Sequence, residues 1–328
     1  MNVMTLSSRY FARLKVDPNQ LDPRPTVQKL KRIHEAHLEH IPFENLAQHG
    51  TDNGNLPSLD LTATADKLLT RQRGGFCFEV NLLLAAFLEE LGYQVARVPT
   101  RVYSDDLHDF RPQATHVILL VTCHGDEPNE SDHTTNLAKS SSIQFSDVGF
   151  GEPPLHPLDY NLLGKEQVTP DGMQSKIVRD SEDENSMLLL LWYKNHAWSK
   201  RLKWHVNFPL GGYPITHFTD SLHQVLQPES IFSQKIVATR LTRDQKITLA
   251  GHTLKISGPP RFPTRTTTNS EQGSQSSSVV PVSVQQLAPE EGVIRQVLLD
   301  KFGMPLNSTK GLSLAKSFRA KEEVWSHQ

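Results

Sequence analysis

The spacing of apolar residues changes period along the chain, and the changes outline its organisation. Val27, Leu30 and Ile33 continue to Leu38 at helical spacing, and Ile41-Pro42 ends that helix. A second helix is predicted from near Thr64 through Leu68-Leu69. The run Val80, Leu82, Leu83, Leu84, Ala85, Ala86, Phe87, Leu88 predicts a third, apolar enough to be mostly buried, with Gly92 as its stop. From Tyr93 the period falls to two. Val95, Val98 and Val102 with Tyr103 predict strands, as do Val117–Val121, Phe145–Val148, Leu188–Trp192 and the stretch through Trp198, Trp204, Val206 and Phe208. Helical spacing returns at Leu222–Val225, a hairpin is predicted from Ile236–Leu241 and Lys246–Ile256, and Glu290–Phe302 reads as an amphipathic helix. Helices, then strands, then a mixed remainder argue for an α+β protein rather than a doubly wound sheet.

Two stretches break this pattern. Asp126–Ser142 is rich in Asp, Glu, Ser, Asn and Thr, and Pro259–Gln286 is a Pro/Thr/Ser/Gln tract. Both are too polar to build a packed core and are expected as loops, the second as a flexible insertion.

Composition adds exclusions. The chain has 328 residues, 37% of them hydrophobic, which is enough for real cores in two or three domains. Its formal net charge of −2 argues against a nucleic-acid footprint. Met1 to Arg13 alternates polar and apolar residues with no hydrophobic leader, and the longest apolar runs are far too short to span a bilayer. With only two cysteines, the expected setting is the reducing cytoplasm with both thiols free. In that setting the sequons at Asn129 and Asn307 carry no weight.

The candidate chemistry centres on Arg73-Gly74-Gly75-Phe76-Cys77-Phe78-Glu79-Val80-Asn81. Two glycines let the backbone approach another group closely. Cys77 then falls in the first turn of the buried helix, where unpaired amides and the helix dipole favour a thiolate. A buried cysteine is more commonly just a small hydrophobe. A nucleophile also needs a base and a group to orient that base. His116 stands at the entrance of the Val117–Val121 strand, and Asp147 at the end of Phe145–Val148 before a glycine-punctuated turn. An antiparallel pair would bring those two side by side despite the long loop between them.

Other clusters carry less. His34, His37 and His40 sit three apart, but His34-Glu35-Ala36-His37 is one residue short of the zinc-protease spacing, and no metal site is expected. Cys123-His124 lacks a matching cysteine pair, and no Gly-rich phosphate loop is present. Arg73 is expected to form a structural ion pair.

Taken together, these motifs resemble the arylamine N-acetyltransferase family. Arg73–Cys77 with Glu79 and Asn81 is similar to its nucleophile motif, and Thr115-His116-Val117 and Asp147-Val148-Gly149-Phe150-Gly151 are similar to its histidine and aspartate motifs. Ile33–His37 with Ile41–Leu46, and Pro228–Phe232 before Val237–Arg240, add to the likeness, which covers most of the chain and is weakest in the last quarter. The resemblance implies an N-terminal helical bundle (1–92) carrying the nucleophile, a central antiparallel β-barrel-like domain (93–212) carrying the histidine and aspartate, and a C-terminal α/β lid (213–328) with its insertion near 259–286. Together they would surround a papain-like cysteine-protease-type catalytic core. It implies Cys77, His116 and Asp147 as a catalytic triad, and Phe43, Val102, Tyr103 and Phe150 as substrate-pocket residues. Acetyl-CoA or another acyl-CoA would be the co-substrate, with no tightly bound cofactor, and an aromatic amine or hydrazine the acceptor. A papain-like or transglutaminase-like thiol hydrolase would use the same Cys–His–Asp order on amides. Neither the acyl group nor the oligomeric state follows from the sequence.

Overall fold

The computed structural model describes residues 5–51, 55–124, 141–194, 197–258 and 282–306. The polar tracts lie mostly outside these residues, as do the sequons at Asn129 and Asn307. The helices are α1 (Leu6–Leu14), α2 (Val27–His40), α3 (Leu61–Ala65), α4 (Cys77–Glu90), α5 (Thr219–Val225), α6 (Ile231–Gln234) and α7 (Glu291–Phe302). The strands are β1 (Phe43–Glu44), β2 (Gln94–Ser104), β3 (Asp109–Phe110), β4 (His116–Cys123), β5 (Ser142–Ser146), β6 (Leu158–Asp159) and β7 (Gln167–Val168). They continue with β8 (Gln174–Arg179), β9 (Met187–Lys194), β10 (Ala197–His205), β11 (Val237–Leu241), β12 (Lys246–Ala250), β13 (Thr253–Ser257) and β14 (Val282–Gln286). This is a mixed α/β fold. No helix among the described residues is long and apolar enough to cross a membrane.

Helix α4 is the hub. It is apolar around nearly its whole circumference, and such a helix is stable only when enclosed. On one side it meets α1, where Tyr10 stacks on Phe87 with centroids 4.1 Å apart. On another it packs against β2 and β4, whose Val95, Leu119 and Val121 share one apolar cluster with Leu84 and Leu88.

The larger sheet has nine strands in the order β6-β5-β4-β2-β10-β9-β8-β7, with β3 attached to β2. Its two edges nearly close the sheet into a barrel. The Gln167 side chain accepts from Asp159 N–H at 2.8 Å and donates to Asp159 C=O at 2.9 Å, so β6 and β7 meet through a side chain rather than a ladder. Inside lie Val98, Ile118, Leu120, Phe145, Leu190, Leu202 and Trp204. The second sheet, β1-β11-β12-β13-β14, is covered by α7 through Ile294, Leu298 and Phe302.

Three expectations are corrected. The alternation assigned to Met1–Arg13 hides α1, because Leu6, Tyr10, Phe11 and Leu14 follow a helical period once Thr5 caps Ser8 N–H at 3.2 Å. The stretch Lys246–Ile256 is two strands, turned at Gly251 with φ +59°, so the expected hairpin is a meander. Strand β5 ends at Ser146, which leaves Asp147 in the following loop.

A buried ion pair joins the N-terminal stretch to the approach to α4. Arg73 donates to Glu44 at 2.8 Å, with side-chain exposures of 4% and 0%. Glu44 lies in β1, which pairs with β11 of the second sheet. Replacing Arg73 by Met strands a buried carboxylate and is expected to lower stability by about 3–5 kcal/mol in urea unfolding. A loss below about 1 kcal/mol would show the pair to be dispensable.

Candidate active site

The Gly-Gly turn is built for close approach. Gly75 N–H donates to Pro42 C=O at 3.1 Å, and its carbonyl accepts from Glu44 N–H at 2.9 Å, a strand-like bridge to β1. A Cβ on Gly74 would sit 2.3 Å from the Pro42 carbonyl oxygen, so only glycine fits. The bridge brings Phe43 beside Phe76, 5.6 Å between centroids. Arg73 is consumed by its pair with Glu44, the structural role expected for it.

The first turn of α4 is held from within the protein. Glu79 accepts from Phe76 N–H at 2.8 Å, satisfying one of the orphan amides of the helix start. Lys67 in turn donates to both oxygens of Glu79, at 2.9 and 2.8 Å. Lys67 comes from Asp66–Thr70, a π-turn that continues α3. Cys77, the first residue of α4, is 5% exposed.

The thiol does not ionise as readily as the helix position alone suggests. Burial pushes the Cys77 thiol well above its ordinary value, and the Asp147 carboxylate adds to the push. The amides of Phe78 and Cys77 pull the other way, as expected at a helix start, but they are outweighed. An isolated thiolate is disfavoured here.

His116, the first residue of β4, makes a 2.8 Å hydrogen bond from Nε2 to Asp147 Oδ2. Asp147 thereby fixes the proton of the neutral ring on Nε2 and leaves Nδ1 as the basic nitrogen. Burial alone would raise Asp147, but His116, Asn81 and the Gly149 amide hold its carboxyl below the usual range. Asn81 stands one turn after Cys77 on α4. Its Nδ2 donates to Asp147 Oδ1 at 3.0 Å and to Val117 C=O at 2.9 Å, while its Oδ1 accepts from Val148 N–H at 3.0 Å. Gly149 lies against the helix: a Cβ there would fall 2.8 Å from Cys77 Cα. The fold thus brings the first turn of α4, the start of β4 and the Asp147 loop to one place.

The expected pocket residues divide. Phe150 packs edge-on against His116 at 5.3 Å between centroids. Phe43 shares an apolar cluster with Cys77, Phe76 and Val117, and Val102 packs inside the barrel near Phe150. Tyr103 follows Val102 on β2, so strand alternation turns it to the other face, where it meets Phe110 at 5.4 Å. Beside Asp147 and Phe150 lies a small cleft lined also by Glu152, Trp192 and Arg201.

Two of the helix α2 histidines, His34 and His37, are occupied elsewhere. His34 bonds Ser146 Oγ at 3.0 Å and Pro154 C=O at 3.2 Å, and burial lowers it to about 4. His37 bonds the Tyr10 hydroxyl at 2.7 Å. No group of three or more metal-binding side chains occurs among the described residues. Sequence reasoning gave no role to Lys67, Asn81, Glu152 or Arg201. Only Asn81 carried a local signal, since its spacing of four from Cys77 puts both on one helix face.

The comparisons with known proteins bear on this geometry. A family model described as N-acetyltransferase matches residues 26–308. The chain belongs to the arylamine N-acetyltransferase family. It is 28% identical over 269 residues to the liver isozyme of arylamine N-acetyltransferase from Gallus gallus, covering 74% of this chain and 82% of that one. The arylamine N-acetyltransferase of Salmonella typhimurium has the same fold, with TM-score 0.72 at 24% identity over 96% of this chain and 97% of that one. So does the Mycobacterium marinum arylamine N-acetyltransferase in complex with CoA, with TM-score 0.67 at 24% identity over 90% and 92%.

An ion pair fastens the Asp147 loop to the second sheet. Lys246 at the start of β12 bonds Glu152 at 2.6 Å. Burial alone would raise Glu152, but Lys246 and Arg201 bring it from 4.5 to about 2. A carboxyl depressed on folding stabilises the protein above its unfolded value and loses that contribution as pH falls through the folded one. Its share is therefore lost between 4.5 and about 2. Urea unfolding of Glu152→Gln is expected to show a smaller stability drop between about pH 5 and pH 3 than the parent. Equal drops would mean that the pair adds nothing.

Proposed function

We propose that the chain is an acyl-CoA-dependent arylamine N-acetyltransferase that works through an acyl-cysteine on Cys77, with His116 as base and Asp147 as its orienting carboxylate. The observation that carries this is the Asp147–His116 hydrogen bond, presented against the first turn of the helix that begins at Cys77. His116 Nδ1 takes the Cys77 proton, and the thiolate–imidazolium pair overcomes the burial that disfavours a lone thiolate. The thiolate attacks the thioester carbonyl of acetyl-CoA. Backbone amides at the start of α4 face this sulfur, and that of Cys77 is suited to stabilise the oxyanion. The tetrahedral intermediate collapses, the C–S bond to CoA breaks, and the CoA sulfur leaves with the imidazolium proton. An arylamine or hydrazine then attacks the acetyl-cysteine, His116 accepts the amine proton, and the Cys77 sulfur departs to be reprotonated.

The site's low exposure keeps water from competing with the amine. Phe43, Val102 and Phe150 are the apolar surfaces we assign to the pocket on this reading, while Tyr103, on the other face of its strand, is left out of it. A papain-like core, with the nucleophile on a helix and the base and carboxylate on and beside strands, fits this division of labour. So does the three-part organisation at residues 92 and 212, with the C-terminal part as a lid. We place the enzyme in the cytoplasm, where acyl-CoA donors and reduced thiols coexist.

The test is steady-state transfer from acetyl-CoA to a simple aniline. The parent is expected to give parallel double-reciprocal plots, and Cys77→Ala and His116→Ala to lose at least about 10³-fold in kcat/KM. Asp147→Ala is expected to lose stability as well as activity, since Asn81 and Gly149 lose their acceptor. Hydrolysis of peptide amides without transfer to the aniline would overturn this reading.

A further inference from the structure

Strand β10 carries an irregularity next to the site. Its register with β9 shifts between Lys200, opposite Leu191, and Leu202, opposite Leu190, which leaves Arg201 as an extra residue without a partner. A bulge of this kind re-aims side chains and is over-represented beside active sites. Here Arg201 and Leu202 both line the cleft that Asp147 and Phe150 line. An arginine is thus set among the apolar residues of the barrel, at a cost in desolvation. Burial pushes it down to about 10, with Glu152 and then Asp147 opposing the shift.

The guanidinium lies between two rings. Its carbon is 3.4 Å from the centre of Trp192 and 4.4 Å from that of Phe150, and it donates to the Glu152 carbonyl at 3.2 Å. Phe150 is the ring that packs against His116. We propose that Arg201 is a positioning residue for His116, holding Phe150 against the imidazole and placing a positive charge beside the site.

This rests on the reading of His116 as the base. The chain of contacts puts the two groups no more than about 10 Å apart, close enough for a partly screened positive charge to favour loss of a proton from the site as a whole. Other charges surround the imidazole. Asp147 follows β5 and bonds the imidazole, Cys77 and Glu79 come from α4, and His34 comes from α2. Glu152 and Lys246 neutralise each other behind Phe150, with Lys194 at the end of β9. Arg201 is the cation in direct contact with Phe150.

The test reads thiolate formation without any acyl donor, as the rate of Cys77 alkylation by iodoacetamide against pH. Arg201→Gln is expected to move the rising limb to higher pH by about half a unit to one unit. Arg201→Lys is expected to keep the parent's pH position but to alkylate several-fold more slowly, because an ammonium does not stack between two rings as a guanidinium does. A parent-like pH position in folded Arg201→Gln, or the same shift in both variants, would overturn the proposal. Should Arg201→Gln fail to melt cooperatively, Arg201→Lys decides alone: a parent-like rate refutes the positioning role. A parent profile without any limb below that of an ordinary thiol would refute the His116 base itself, a separate outcome.

Discussion

The side chain of Asn81 joins three parts of the protein with three hydrogen bonds. It links helix α4 to the Val117 carbonyl of β4 and to both Asp147 and Val148 in the loop after β5. In a buried setting each of these groups would carry a desolvation penalty if left unpaired, so the arrangement is hard to displace piecemeal. The consequence is geometric. The helix that carries the thiol, the strand that carries the imidazole and the loop that carries the carboxylate share one fixed relation. Gly149 completes it by letting that loop lie directly on Cys77.

Around this clamp the protein buries two ion pairs. Lys67 and Glu79 are each 3% exposed, and they secure the start of α4 from the preceding π-turn. Arg73 and Glu44 secure the turn before it. Such pairs add little to net stability compared with apolar replacements, but losing one member is costly, so they act chiefly as specifiers of position. The same low-dielectric setting governs the nucleophile. It makes a free Cys77 thiolate unfavourable.

The nucleophile motif was legible in the sequence because its parts are local: two glycines, a cysteine, then an apolar helix. His116 and Asp147 were legible as polar residues at the ends of apolar strand runs, and the family resemblance joined them. For the thiol, the pull of nearby amides can be read from the helix start, whereas the larger opposing effect of burial depends on what the fold packs around it. Helix α1 was hidden because nine residues show too few turns to separate a period of two from one of 3.6. Strand β1 has two residues, and its pairing with β11 connects segments far apart in the chain. Arg201 left no trace in the sequence, since a bulge exists only in relation to a partner strand.

The central claim is that Cys77 carries the acyl group between two substrates. Intact-protein and peptide mass spectrometry after brief mixing with acetyl-CoA, followed by an arylamine, tests it most directly. The account predicts one acetyl group on the peptide containing Cys77, lost when the amine is added with equivalent formation of the acetylated amine. An unmodified Cys77 during active transfer, or an acetyl group that the amine does not remove, would contradict it.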